Sequence, residues 1–387
     1  MVRLKKIVRQ IHLVLGFASG LVVFMLAVTG CLYVFEQEIT HALRKDAIVI
    51  PPETTGTIPL SQLWQQTQDQ AGEEKISWVY AYDDPAKSWV FTSLKKNEHG
   101  ITYFGSIDYY TSRYVNPYSG EITGVYDEEE KFLNIVKYLH WSLLLKTEYG
   151  QPIIGWSTVI FVLMLISGLI LWWPKNRKAR KKRLWFRWKK STLPKRKSYD
   201  LHSILGFYIF PVILVIALSG MVWTFPWFKT LVYVAGAGSS FAPNLTPAVS
   251  TYTAQQTPAP LDIALHQSKT HYPAAEAFRI TPPKDSTGII NVVAQHRDGA
   301  YYVTHNLQFD QYSGALLKER SHDDKNLGEK LSQGNYDIHT GIILGLPGKI
   351  LAFMASLVCA SLPVTGFILW YGRIKDEKIK QQTSSHL

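Results

Sequence analysis

Four stretches of the chain contain no Asp, Glu, Lys or Arg: Gln10–Phe35, Gly150–Trp173, Leu201–Phe228 and Ile350–Tyr371. Each has the roughly 20 residues that a helix needs to cross a bilayer core, and each is rich in Leu, Ile, Val and Phe. Four such segments predict an integral membrane protein, because in hydrocarbon a spanning segment must satisfy its own backbone polar groups. Composition agrees where it can discriminate. Charged residues are 18%, below the roughly 25% of soluble domains. The 47% apolar content excludes a disordered chain, and two cysteines exclude a disulfide scaffold. The first stretch follows Arg3, Lys5, Lys6 and Arg9 as a signal peptide would. Its apolar run is too long for one and has no small-residue cleavage site, so it reads as an uncleaved first helix.

The basic residues set the expected orientation. Four precede Gln10, 13 fall in the connection Pro174–Tyr199, and four follow Tyr371. Those segments hold 21 of the 41 basic residues, while the two large regions between spans hold 27 of the 30 acidic ones. Both termini and the basic connection are therefore expected in the cytoplasm, with the large regions outside. A Lys/Arg-rich run can bind nucleic acid, but beside two membrane spans topology and anionic headgroups explain it better. No nucleic-acid partner is expected; the bilayer is.

The chain also repeats itself. His12-Leu-Val-Leu-Gly16-Phe17 returns as His202-Ser-Ile-Leu-Gly206-Phe207, 190 residues later. Seventeen residues after each histidine comes a hydroxyl–glycine pair, Thr29-Gly30 and Ser219-Gly220. Span two ends with Ser167-Gly168 before Leu-Ile-Leu-Trp-Trp, and span four with Thr365-Gly366 before Phe-Ile-Leu-Trp-Tyr. Upstream lie His140 and His339, 199 residues apart. The expected fold is thus four transmembrane α-helices from a duplicated half, plus two outer α/β domains. The halves would be parallel repeats about a pseudo-two-fold along the membrane normal. That axis sets His12 opposite His202 and His140 opposite His339.

The expected segments are helix 10–35, outer domain 36–135, interfacial helix 136–148, helix 150–173, basic loop 174–199 and helix 201–228. The second half continues with outer domain 229–335, interfacial helix 336–346, helix 348–371 and tail 372–387. Breaks are expected at Gly150-Gln151-Pro152 and Leu346-Pro347-Gly348. Ser61–Gln70 and Leu261–Thr270 read as short helices. Strands are expected within 76–94, 101–118, 289–303 and 304–317, and a Pro/Thr-rich connector over 245–260.

Ionisable residues in or near a bilayer point to function by default. The bland alternative is a histidine bonded to a carbonyl at headgroup level. Four at symmetry-related positions favour two facing imidazole pairs, which suit axial ligation of b-type haem between helices. A 24-residue span rises about 36 Å at ~1.5 Å per residue, so the inner and outer pairs cannot share one iron. Two haems follow, one near each face, with all four His as iron ligands. Gly30 and Gly220 would lie at the outer level, Gly168 and Gly366 at the inner, letting a flat macrocycle approach. Small-residue helix packing explains them equally well. Arg9 and Arg196 sit where they can reach inner-haem propionates, or serve only as topology charges. His99, His266, His271, His296, His305 and His322 read as scattered surface residues. No Rossmann fingerprint, P-loop, H-E-x-x-H or G-x-S-x-G occurs, so nucleotide and hydrolase chemistry have no support.

These residues resemble the PepSY-associated transmembrane helix family of bacterial inner-membrane proteins. The resemblance rests on R-x-x-H-x-x-x-G at Arg9–Gly16, D-L-H-x-x-x-G at Asp200–Gly206, S-G-L-x-L-W-W at Ser167–Trp173, and the upstream His140 and His339. Asn116-Pro-Tyr-Ser-Gly120-Glu121 looks like the D-P-x-T-G-E turn of PepSY-type domains, and Asp310–Gly314 like a degraded copy. The resemblance implies PepSY-like periplasmic domains. Through its FoxB-like members, it also implies a haem-dependent ferrisiderophore reductase serving iron uptake. Electrons would pass from a cytoplasmic donor or quinol to a ferric siderophore or other ferric chelate in the periplasm. With the chain ending at Leu387, the donor is expected to be another molecule. A transporter using the histidines as a metal or proton path, or a non-enzymatic PepSY-type regulator, are the competing readings.

Overall fold

The computed structural model describes residues 2–53, 56–174, 176–241, 243, 245–252 and 259–384. Residues 253–258 of the connector lie outside them. The first half runs α1 (Val2–Tyr33), α2 (Glu36–Leu43), α3 (Lys45–Ile48), α4 (Leu60–Ala71), β1 (Ile76–Tyr82), β2 (Trp89–Lys96), β3 (Ile107–Val115), β4 (Ile122–Asp127), α5 (Phe132–Ser142) and α6 (Thr147–Trp172). The connection contains α7 (Arg177–Leu184) and α8 (Pro194–Asp200). The second half runs α9 (Gly206–Thr224), α10 (Pro226–Ala237), α11 (Pro260–His271), β5 (Ala277–Thr281), β6 (Ile289–Gln295), β7 (Thr304–Asp310), β8 (Leu316–Arg320), α12 (Leu327–Gln333), α13 (Asn335–Thr340) and α14 (Gly345–Ser384).

Four helices are long and apolar enough to cross a membrane: α1, α6, the run from α8 through α9, and α14. Their outward faces stay apolar, with Leu21, Val14, Phe17 and Phe367 exposed. In water this surface would aggregate; in lipid it is the solvated face. The chain is a membrane protein. Each of α1 and α9 packs against both α6 and α14, so α1 and α9 occupy opposite corners. Val23, Ala27, Leu165, Ile213, Ala355 and Ala360 fill the centre, where small side chains allow close approach. On the basic side, Lys5 Nζ donates to the Trp173 carbonyl at 2.9 Å and Arg183 to that of Leu171 at 3.1 Å. Some of the positive cluster therefore caps the end of α6.

The expected breaks are displaced. Between α5 and α6 the chain reverses at Leu143 and Leu144, both with φ of 58°, a conformation L-residues adopt at a cost. The turn is held by Tyr103 N donating to Leu144 O at 2.8 Å and Lys146 N to Ile101 O at 2.7 Å. Gly150 lies just inside α6, where a Cβ would meet Ser142 O at 1.8 Å. Pro347 falls in the opening turn of α14, which tolerates proline. The third span ends at Thr224 rather than 228, because Pro226 forces Phe225 into extended backbone. Before α9, residues Leu201–Leu205 form a π-helical turn containing His202; such turns concentrate at functional sites.

The two outer α/β regions are not separate. All eight strands form one antiparallel sheet in the order β4-β3-β2-β1-β5-β6-β7-β8. The halves meet at β1 and β5, with Val79 opposite Ile280 and Ala81 opposite Phe278, all four essentially fully buried. Joining these strands removes two apolar edges that would otherwise be aggregation-prone. The helices α4 and α11 lie over this core, and Ser61 N donates to Asp262 Oδ1 at 2.9 Å between them. The two PepSY-like turns close the β3–β4 and β7–β8 hairpins. Asn116 Oδ1 accepts from Tyr118 N at 2.9 Å just as Asp310 Oδ1 accepts from Tyr312 N. Asp310 also accepts from Ser313 N and Thr251 N, so the two turns share one side-chain bond.

Candidate cofactor site

The structure brings the four span-associated histidines together as two pairs. His12 on α1 and His202 in the π-helical turn have ring centroids 6.3 Å apart, with planes at 89°. His140 on α5 and His339 on α13 have centroids 6.0 Å apart, with planes at 75°.

The short helices carrying the second pair are pinned on both sides. Asn134 Nδ2 on α5 donates to Glu128 O at 2.8 Å, and Tyr138 stacks on Tyr103. On α13, Asp337 accepts from the backbone N–H groups of Tyr301 and Tyr302, and Asn335 Nδ2 donates to Ser219 O at 3.0 Å. The sheet-side loops and the bundle together thus orient His140 and His339.

Each imidazole is tethered through Nδ1 to the hydroxyl–glycine pair of the other helix in its own half. The partners are Ser167 for His12 at 2.8 Å, Thr29 for His140 at 2.9 Å, Thr365 for His202 at 3.0 Å and Ser219 for His339 at 2.9 Å. A hydroxyl has one hydrogen. Thr29 gives its own to Met25 O at 2.7 Å, Ser167 to Met164 O, Ser219 to Ile216 O and Thr365 to Ser361 O. Each hydroxyl can then only accept from the ring, so every Nδ1 carries the proton and every Nε2 is a bare lone pair. The Leu362 carbonyl, 3.1 Å from His202 Nδ1, requires the same tautomer.

The glycine half of each motif seats the ring. A Cβ at Gly30, Gly220, Gly168 or Gly366 would stand 3.4 to 3.6 Å from the Cε1 of His140, His339, His12 or His202 respectively. In the sequence these pairs are equally open to macrocycle contact or helix packing. Their contact with the imidazoles depends on helix rotation, which spacing within one helix does not reveal.

Donor chemistry at both pairs, and space beside His140 and His339, fit a haem. Neutral imidazoles offering Nε2, with Nδ1–H bonded behind, are what axial ligands supply. Metal–imidazole bonds of about 2 Å place two ring centroids about 6 Å apart across one iron. A cavity of about 660 Å³ adjoins His140 and His339, lined also by Gly30, Gly220, Trp141 and Trp223. Trp223 lies 5.2 Å from His339 and 5.9 Å from Trp141, centroid to centroid. Burial pushes the outer imidazoles toward the neutral form, His140 down to about 4 and His339 down to about 3. Among the described residues no three His, Cys, Asp or Glu side chains cluster to hold a bare metal ion.

Other sites fall elsewhere. Arg196 is taken by Asp200 one turn on, at 2.9 and 3.1 Å, and Asp200 also accepts from Trp188 Nε1. The guanidinium expected to serve an inner-haem propionate or the topology thus makes an i,i+4 ion pair. Arg9 is exposed. His271, His305 and His322 gather at the β7–β8 end of the sheet, where His305 stacks on Tyr272, and line no part of the cavity. Cys31 and Cys359 are free thiols.

No curated protein matches the chain. The family model described as the PepSY-associated TM region matches residues 9–373. That match takes in all four spans, both histidine pairs and the whole sheet, and the chain belongs to the PepSY-associated transmembrane family.

Proposed function

We propose that this protein is a two-haem electron-transfer protein of the bacterial inner membrane that reduces a ferric siderophore or similar ferric chelate in the periplasm. In this reading it is built from a duplicated half, with both termini cytoplasmic and the sheet periplasmic. The segregation of Lys and Arg onto the side opposite the sheet supports that orientation. The observation that carries the reading is the two imidazole pairs, each about 6 Å across and each with Nε2 left bare by a hydroxyl tether.

Haem b held by His12 with His202, and by His140 with His339, would supply reversible one-electron Fe(III)/Fe(II) chemistry. The protein's own residues do the rest. The hydroxyls of Thr29, Ser167, Ser219 and Thr365 keep each ring in one tautomer and one orientation. The apolar side chains Val23, Ala27, Ile213 and Ala217 keep water from the membrane-side part of the outer cavity. The polar mouth beneath the sheet gives a hydrophilic chelate a way to approach. No acid–base catalyst is needed, because iron release follows from the weaker hold of a siderophore on Fe(II). The donor, a cytoplasmic protein or quinol, would act at the His12/His202 side.

The test is the absorption spectrum of protein purified from haem-replete cells, followed by reoxidation with a panel of ferric chelates. Two b-type haems per chain and rapid oxidation by ferric siderophores are expected. A colourless preparation would remove the haem reading. Haem that ferric chelates never oxidise would remove the reductase reading.

A further inference from the structure

The cavity beside His140 and His339 changes character along its length. Its membrane-side walls are apolar, with Val23, Ala27 and Phe161, whereas its mouth beneath the sheet carries Glu36, Gln37, Lys137 and Tyr336. Lys137 is the one Lys or Arg among its described lining residues. It lies one turn before His140 on α5, and side chains three apart share a helix face. Tyr336 has the same position relative to His339 on α13, and its phenol is hydrogen-bonded with Tyr33.

The nearby acids Glu36 and Glu128 act on this ammonium through space, but each is in contact with another cation. Glu36 is held by Lys131 and accepts from Thr40 Oγ1 at 2.9 Å. Glu128 is paired with Arg44. Among the described residues Lys137 makes no ion pair; its ammonium lies 5.0 Å from the Tyr138 ring centroid. Burial holds its pKa below the usual lysine range. A half-buried cation with no anion in contact is costly, and an anion at the mouth would remove much of that cost.

We propose that Lys137, with Tyr336 of the second half, is a carboxylate-binding site, and that its occupant is a propionate of the haem held by His140 and His339. The proposal rests on the two-haem reading above. A haem is an apolar macrocycle with two carboxylates on one edge. In a cavity that is apolar at one end and polar at the other, one orientation solvates those carboxylates, and it directs them at Lys137. A carboxylate-bearing ferric chelate offers the same chemistry from a second source, so the experiment separates the two.

Full-length protein, Lys137→Gln and Lys137→Arg are purified with haem and titrated spectroelectrochemically without chelate. Removing a positive charge beside the propionate disfavours the ferrous state. In Lys137→Gln the ferrous-to-ferric ratio of one haem at fixed applied potential should fall about threefold to tenfold, as expected for one charge near a partly solvated carboxylate. The other haem should be unchanged, and Lys137→Arg should restore most of the loss. Unaltered ratios for both haems, or equal shifts in both, overturn the proposal. So does an unaltered titration with slower reduction of ferric citrate alone and normal reduction of an uncharged ferric hydroxamate, which assigns the site to the chelate. If the wild-type chain binds no haem, the two-haem reading itself has failed, which is a different result.

Discussion

His140 and His339 face each other with ring centroids 6.0 Å apart, although 199 residues separate them in the chain. Each is held by a hydroxyl of its own half, Thr29 or Ser219, and neither depends on the other for its orientation. The pair is thus a meeting of two separately tethered imidazoles. The same holds for His12 and His202 at the opposite end of the bundle. This independence makes the site testable one residue at a time.

Replacing His339 by Ala removes one imidazole of the sheet-side pair and leaves His12 and His202 intact. If the two-haem proposal holds, haem content should fall from two per chain to one, with ferric-chelate reduction lost. Pyridine haemochrome quantification checks the stoichiometry, and loss of both haems or of neither would contradict the pairing.

Thr29→Val keeps the volume and removes the hydroxyl acceptor for His140 Nδ1, leaving the Leu26 carbonyl. Partners of this kind are worth about 10- to 100-fold in metal affinity. Haem transfer to apomyoglobin should accelerate by that order for the sheet-side haem, while Thr29→Ser should behave like the parent.

Gly30 separates a size limit from a conformational one, since it does not adopt a positive φ. An alanine Cβ would stand 3.6 Å from His140 Cε1, an ordinary contact. Gly30→Ala should retain two haems and Gly30→Leu should lose the sheet-side one, read from the same haem assay.

The β1–β5 seam joins the two outer regions in one sheet, so they are expected to unfold as one unit. Val79 is fully buried there opposite Ile280. Val79→Asp buries a carboxylate with no partner, at a cost of about 3 kcal/mol or more. Scanning calorimetry of the detergent-solubilised protein should record a single transition shifted downward. Two separate transitions in the parent would argue that the halves fold apart.

Lys325 provides a pH signature. It is buried, with Nζ donating to Thr304 O at 2.6 Å, and burial with Arg320 nearby lowers its pKa from 10.5 to about 8. Between those values the unfolded chain binds the proton and the folded chain does not, so stability should rise with pH from about 8 to 10.5. Denaturation midpoints across that range should show the slope in the parent and lose it in Lys325→Met.

Much of this architecture can be read from the residues in order. Charge-free runs of more than 20 residues leave a chain little choice but to span a membrane. The repeated His-x-x-x-Gly-Phe opening sets His12 against His202 before any coordinates exist. Ser61–Gln70 and Leu261–Thr270 were also legible as helices, since their apolar periodicity is local; they form as Leu60–Ala71 and Pro260–His271. Other features were not legible. The left-handed Leu143 and Leu144 are imposed by hydrogen bonds from the 101–103 segment, against their own preference. The strand β5 is not legible either, because its five residues are defined by pairing with β1 and β6 rather than by their own pattern.

By itself, then, the sequence determined which segments enter the membrane, which side carries the positive charge, and which histidines correspond. Those properties follow from composition and spacing along one chain. Only the tertiary structure decided that the outer regions share one sheet, that Arg196 belongs to Asp200, and that each hydroxyl–glycine pair seats an imidazole and leaves its Nε2 bare. These depend on the rotation and register of one element against another, which packing determines and a linear pattern does not encode.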